Sequence, residues 1–344
     1  MMFLRKMEPR ARLSLALQGG GAHGAFTWGV LDALLEHGRF GFDGISGTSA
    51  GAMNAVVMAH GWISGGRDGA REALDTFWNA ISDTPPFEMA VPDGRGDGAL
   101  VNPVMKFMLR LSSVFSPSEL NPLDLNPLRD VIEAQVDFER LRRRCPLRLF
   151  IAATQVNTGK LRLFRNHEIG PDALLASACL PTMHHTVEID GEPYWDGGYV
   201  ANPAVFPLFY ECASRDVLLV LLNPLRHLTT PKTADEIRMR ALELSFSANF
   251  LREMRMFAHA REYAEAVPWW RRGRLERRLL AANFHLIEAG ELLGKLAPES
   301  KLTPNREFLH GLRELGRQHA LSWLNEKSGC LGNRSSVEID GLFN

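Results

Sequence analysis

The pentapeptide Gly47-Thr48-Ser49-Ala50-Gly51 constrains this chain more than any other segment. It follows a short strand-like run, Phe42 to Ser46, and opens an apolar, helix-like stretch from Ala50 to Met58. A serine between glycines at a strand-to-helix junction makes a tight turn free of bulky Cβ atoms. Its hydroxyl then stands clear of the sheet, and the following helix aims free backbone N–H groups at developing negative charge. Ser49 is therefore a candidate nucleophile, and Gly47 and Gly51 are the residues that let the elbow form. Taken alone, the same five residues also fit a helix N-terminus capped by Thr48 or Ser49.

A chain of 344 residues with 45% hydrophobic content can bury a large core. Lys and Arg (39) nearly cancel Asp and Glu (40), so no global field points to nucleic acid, and a membrane or anion contact has to be a local patch. Cys145, Cys179, Cys212 and Cys330 are scattered without ligand spacing, which predicts packed, reduced thiols and neither a disulfide framework nor a metal site. The basic start Met1 to Arg12 lacks the apolar core of a signal peptide, and no apolar run is long enough to span a bilayer. The expectation is a cytoplasmic protein, with peripheral contact at the inner membrane face left open.

Leu13-Ser14-Leu15-Ala16-Leu17 alternates with the period of a strand, runs into Gln18-Gly19-Gly20-Gly21-Ala22-His23-Gly24, and continues as a helix through Leu31, Leu34 and Leu35. Phe42 to Met58 is a second such unit. Leu147 to Thr154 and Leu161 to Phe164 read as strands joined by a turn at Asn157-Thr158-Gly159, and Val217 to Leu222 and Asn283 to Ile287 as further strands. Strands alternating with helices predict an α/β three-layer sandwich with a mainly parallel central sheet and with inserted and C-terminal helices. The expected division is one domain over 11–290, carrying an insertion of loops and short helices at about 62–125, and a helical C-terminal extension with a frayed tail over 291–344.

The spacing Gly19-x-Gly21-x-x-Gly24 after a strand and before a helix is also a dinucleotide fingerprint, with Asp43 near the offset of a ribose-binding acid. A nucleotide-dependent oxidoreductase is thus one reading. The other takes both glycine loops together: one exposes Ser49, and the other, Gly19 to Ala22 and Gly24, is the candidate oxyanion and substrate-binding loop, whose unhindered N–H groups face an oxyanion.

A base for Ser49 is not evident among the histidines. His184 and His185 are neighbours in an extended segment and point to opposite faces, so they do not readily share a site. Val187 to Gly198 is more informative: Asp190-Gly191 is a hairpin turn signal, and Asp196 ends the return strand at the Gly197-Gly198 turn. A carboxylate there is placed to take the Ser49 proton if burial tunes its basicity; by itself it also fits a turn cap.

These three segments resemble the patatin-like phospholipase family, whose pattern is a glycine-rich oxyanion loop, a G-x-S-x-G elbow and an Asp-Gly-Gly or Asp-Gly-Ala acid, in that order. Here they stand as Gly19 to Gly24, Gly47 to Gly51 and Asp196-Gly197-Gly198, with Ala176 to Pro181 and Asn202-Pro203 also fitting, over roughly Leu13 to Leu222. His23 departs from the pattern, where many relatives carry Arg or Lys. The resemblance implies a dyad of Ser49 and Asp196 without histidine, oxyanion donors from Gly20, Gly21 and Ala22, no cofactor and no metal. It implies hydrolysis of a lipid acyl ester through an acyl-enzyme, the substrate being a phospholipid, lysophospholipid, neutral glyceride or short-chain ester. The apolar stretch Val104 to Phe115 is a candidate cover for the acyl channel. Pro268 to Arg278 gathers five arginines beside Trp269 and Trp270, a combination that favours an anionic lipid surface and is here expected to bring lipid towards Ser49.

Overall fold

The computed structural model describes residues 11–83, 115–227, 230–296, 298–302 and 305–343. Of the expected apolar cover Val104 to Phe115, all but Phe115 lies outside them. The elements used below are, in chain order, β1 (Arg12–Leu17), α1 (Gly24–His37), β2 (Gly41–Thr48), α2 (Ala50–Ser82), α3 (Pro127–Gln135), α4 (Phe138–Arg144), β3 (Arg148–Gln155) and β4 (Leu161–Arg165). They continue with α5 (Pro171–Ser177), β5 (Val187–Ile189), β6 (Glu192–Asp196), α6 (Phe206–Glu211), β7 (Asp216–Leu221), α7 (Ala234–Ala266), α8 (Arg274–Ala281), β8 (Asn283–Glu288), α9 (Arg306–Lys327) and α10 (Ile339–Phe343).

The eight strands form one sheet in the order β5-β6-β3-β2-β1-β7-β8, with β4 also on β3. Every pairing from β3 through β2, β1 and β7 to β8 is parallel, and β4, β5 and β6 add antiparallel pairs at one side. The alternation in β1 explains the layering. Leu13, Leu15 and Leu17 point into a core built with α1, α2 and α9, while Ala16 points into a second core built with α6, α7 and α10. A strand buried on both faces reads as a nearly continuous apolar run, and β7 with its Val-Leu-Leu-Val-Leu is one.

Three boundaries differ from expectation. The stretch 62–125, expected as an insertion of loops and short helices, is helical as far as Ser82. Gly65 and Gly66 have non-helical dihedrals, and beyond them the chain doubles back, so that a Cβ on Gly61 would lie 2.3 Å from the Gly69 carbonyl oxygen. Ala70, Leu74, Phe77 and Trp78 then form a buried helical stripe on the main core. The stretch after 291 is no appendage either: Leu309, Leu312, Ala320, Trp323 and Leu324 of α9 share a core with α1. Finally, the tail is docked rather than frayed. Ser336 N–H donates to the Phe284 carbonyl on edge strand β8, and Phe343 packs edge-on against Phe250 of α7 at 5.7 Å between centroids.

Helices α1 and α9 touch backbone to backbone through glycine on both sides. A Cβ on Gly29 would come within 1.9 Å of the Arg313 carbonyl oxygen, and one on Gly316 within 2.0 Å of the Phe26 carbonyl oxygen. Backbone cannot yield as a side chain does, so Gly316→Ala is expected to cost about 3 kcal/mol of stability. Gly311→Ala, on the open face of the same helix with nothing near its Cβ, is expected to gain up to about 1 kcal/mol. Urea melts of the two variants check the pair; equal stabilities would remove the close helix contact.

Candidate active site

The parallel sheet places the loops after β1 and β2 side by side at its carboxyl edge, the edge at which open α/β sheets carry their sites. Ser49 is the residue between β2 and α2. Its φ of 52° and ψ of −122° are unfavourable for any residue with a Cβ, and such strain is held only where the surroundings enforce it. Glycine is required on both sides. A Cβ on Gly47 would strike the Gly51 carbonyl at 2.5 Å, and one on Gly51 would meet the Leu17 carbonyl at 2.2 Å. The Ser49 N–H donates to Ser177 Oγ at 2.9 Å, and the residue is half-buried.

Strand register brings Asp196 to this turn. On β3, Ala152 pairs with Thr48 of β2, and the next residue, Ala153, pairs with Asp196 of β6. Since β4 covers the other edge of β3, β6 takes up the edge that β2 vacates as it turns into Ser49. Asp196 is 2% exposed. Its main chain is fixed by the Cys179 carbonyl, which accepts from the Asp196 N–H at 2.8 Å, and by Thr154 Oγ1, which donates to the Asp196 carbonyl at 2.7 Å. Its carboxylate accepts the Gly198 N–H at 2.7 Å and is contacted by the Ser49 side chain. Burial raises its pKa to about 7; the hydrogen bonds from Gly198 and Ser49 only partly offset that. Gly197 is pressed on the Ala152 carbonyl, and Gly198 lies under the Phe246 ring of α7, which packs at a tilt on Tyr199 with 4.6 Å between ring centroids.

The first glycine loop divides its labour. The Gly19 N–H donates to Asn202 Oδ1 at 2.7 Å, so Gly19 anchors the loop and its N–H is not free for an oxyanion. Gln18 Oε1 accepts the N–H groups of Leu222 and Asn223, which ties the loop to the end of β7. Gly21 has φ of 59° and starts a 3-10 turn, Gly21–His23, closed by the His23 N–H on the Gly20 carbonyl at 3.2 Å. The first turn of a helix leaves its leading N–H groups without intrahelical acceptors, here those of Gly21 and Ala22. Gly24 stands behind the loop: a Cβ there would meet Ala50 Cβ at 2.6 Å and the Trp78 ring at 3.1 Å, so it serves the contact of α1 with α2.

Other candidates are dispersed. Asp43 lies at the start of β2, opposite the end that carries the loops, and its carboxylate accepts the N–H groups of Ala213 and Ser214 at 2.5 and 2.7 Å. It cannot reach a ribose held by Gly19 to Gly24, which removes the dinucleotide reading. His184 sits in a bend closed by its N–H on the Leu180 carbonyl, not in an extended segment, and His185 Nε2 bonds the Asn121 carbonyl. His23 is buried and shares a 2.7 Å hydrogen bond with Ser300 Oγ; burial, and then Lys301, lower its pKa to about 3, so it is neutral at working pH. A Ser-His-Asp chain does exist, with Ser336 Oγ 2.9 Å from His285 Nδ1 and His285 Nε2 3.0 Å from Asp216 Oδ1. It lies at the amino ends of β7 and β8 and clasps the tail to the edge strand. Among the described residues no group of three or more His, Cys, Asp or Glu is placed to hold a metal ion, and no helix is long and apolar enough to cross a membrane.

Trp269 and Trp270 of the arginine and tryptophan segment are 74% and 67% exposed, but Arg272, Arg277 and Arg278 are spent on backbone carbonyls. Phe246 of α7 marks the active site, and the segment begins past the far end of that helix. At 1.5 Å per residue this is about 30 Å away. Arg277 and Arg278 adjoin Phe209 to Arg215, before β7 begins, whereas Ser49 stands at the carboxyl edge of the sheet.

The chain belongs to the patatin-like phospholipase family, whose model matches residues 15–209, more than half of its length. It is 29% identical over 220 residues to the cGAMP-activated phospholipase of Escherichia coli (strain TW11681), a match covering 57% of this chain and 54% of that protein. The chain therefore spans about half the length of that curated relative. Among solved structures it is similar to VipD from Legionella pneumophila, at 17% identity and a TM-score of 0.45 over 92% of this chain and 67% of the other.

Asn202, Ser177, Tyr199, Phe246, Ser300 and Lys301 are the neighbours whose roles sequence reasoning missed. Ser177 and Asn202 fall within segments that fit the family pattern, yet nothing in the sequence says that one takes the Ser49 N–H and the other the Gly19 N–H.

Proposed function

We propose that this protein hydrolyses acyl esters of lipids with Ser49 as nucleophile and Asp196 as its general base, without histidine. The observation that carries the reading is a carboxylate buried beside the hydroxyl of a strained elbow serine, with no cation among the described residues shifting its pKa. A carboxylate held near neutrality in pKa is a far stronger base than one in water, and matched pKa values favour proton transfer.

The steps follow from the placement. Ser49 Oγ attacks the ester carbonyl carbon as its proton passes to Asp196. The oxyanion of the tetrahedral intermediate is met by the N–H groups of the Gly20 to Ala22 turn, each donor being worth about 3 kcal/mol in the transition state. Collapse breaks the acyl C–O bond, and the proton on Asp196 goes to the departing alkoxide, leaving an acyl-serine. Water then attacks that ester with Asp196 again taking the proton, and fatty acid leaves as Ser49 Oγ is reprotonated.

A lipid-like fluorophosphonate, which reacts only with an activated hydroxyl, tests the assignment. Peptide mass spectrometry is expected to find the adduct on Ser49 alone. Labelling of Ser336, among the described residues the one serine in a Ser-His-Asp chain, would move the nucleophile to the other end of the sheet.

A further inference from the structure

The family match ends at residue 209, yet the oxyanion loop is held from residues 300 and 301. The 3-10 turn Pro298–Leu302 lies directly on the turn Gly21–His23. Ser300 is 3% exposed and His23 1%, so their 2.7 Å hydrogen bond is sheltered from water and cannot be exchanged for solvent without opening the contact. Phe308, at the start of α9, packs edge-on against the same imidazole at 6.1 Å between centroids. One residue on, the Lys301 carbonyl oxygen occupies the space that a Gly21 Cβ would need, 2.3 Å from it. The Lys301 ammonium reaches back to Asn223 Oδ1 at 3.2 Å, and the Asn223 N–H is bound by Gln18. The loop is thus gripped at both ends: Gln18 and Gly19 by β7 and Asn202, and Gly21 to His23 by the C-terminal segment.

We infer that Ser300 is a positioning residue for the reaction, fixing the His23 side chain and through it the Gly20 to Ala22 turn that receives the oxyanion. The inference rests on the function proposed above. His23 is the residue whose N–H closes that turn on the Gly20 carbonyl. If its ring is free to rotate, the turn loosens, and the donors Gly21 and Ala22 lose the fixed aim that makes an oxyanion hole more effective than water. The C-terminal segment is then part of the active site, although the three sequence motifs lie far upstream of it.

The molecule contains its own control. Ser336 and His285 form a hydrogen bond of the same kind, 2.9 Å long, on a fully buried imidazole, at the opposite edge of the sheet. Ser300→Ala and Ser336→Ala are compared with the unmodified full chain on a soluble short-chain ester, by melting temperature and by amide hydrogen exchange of the peptide spanning Gln18 to Gly24. Ser300→Ala is expected to lower kcat about tenfold with KM within about twofold, and to speed exchange in that peptide. Ser336→Ala is expected to lower the melting temperature with kcat and that peptide unchanged, and Ser300→Thr, which keeps the hydroxyl, to recover most of the rate. Unchanged exchange at Gln18 to Gly24 in Ser300→Ala would overturn the inference whether or not the ester is turned over. So would a loss of kcat matched by Ser336→Ala. Should Ser300→Ala not fold, His23→Gln is read by the same exchange measurement against the same criteria.

Discussion

Ser49→Ala is expected to abolish ester hydrolysis while leaving the melting temperature within a degree or two of the unmodified protein. The two halves of that result have separate causes. The backbone of Ser49 is held by its N–H on Ser177 Oγ and by its carbonyl, which accepts from Ala52 and Met53, and alanine keeps all three bonds. The residue is half-buried and the change removes a single oxygen, so no sizeable cavity opens. The chemistry has no substitute, because a water in its place would have to attack without the covalent intermediate; removal of a nucleophile in comparable serine enzymes costs about a millionfold in kcat. A companion variant separates strain from chemistry. Ser49→Gly should be as inactive but more stable by about 1 kcal/mol, since glycine adopts φ of 52° without the cost a Cβ imposes. An alanine variant that still hydrolyses short acyl esters would remove Ser49 from the reaction.

The parts of this molecule written in local sequence were legible, and those written in long-range contacts were not. Leu13 to Leu17 alternates because both faces of β1 are covered, and the elbow glycines are needed because backbone passes within 2.6 Å of where their Cβ atoms would be, so both left a mark in the residues themselves. The hairpin that delivers Asp196 was readable from Asp190-Gly191, which take φ of 54° and 79° as such a turn requires. By contrast, Gly19 looked like an oxyanion donor until Asn202, 183 positions away, proved to hold its N–H. The stretch from about 62 reads as an insertion because it carries little strand signal, and only the buried stripe from Ala70 to Trp78 shows that the chain returns to the core. The arginine and tryptophan segment had the right chemistry for a lipid surface. Its distance from Ser49 depends on the direction in which α7 runs, which no composition records.

Asp196→Asn carries the second large effect, and its two consequences have opposite signs. Asparagine keeps an oxygen to accept the Gly198 N–H, and the bonds to Cys179 and Thr154 are made by the main chain, so the fold is retained. It cannot accept the serine proton, and turnover is expected to fall by several orders of magnitude. Stability moves the other way. The folded pKa of about 7 lies above the unfolded value of 3.8, so between those values the folded state holds the proton more firmly. Stability from this group is therefore fully present below about pH 4 and is lost as pH rises to about 7, where a bare charge has to be kept out of water. At roughly 1.4 kcal/mol per pKa unit the upper bound is about 4 kcal/mol, so Asp196→Asn should melt well above the parent at pH 8 and level with it at pH 4. The parent's activity should run against its stability, rising through about pH 7 as the base ionises and holding level above it. A melting difference that does not change between pH 4 and pH 8 would show that Asp196 is not the strained carboxylate described here. An activity profile flat from pH 5.5 to 8.5 would show that it is not the base. The elbow serine and this carboxylate thus share one property, a conformational or electrostatic cost borne by the whole fold at the place where the chemistry needs it.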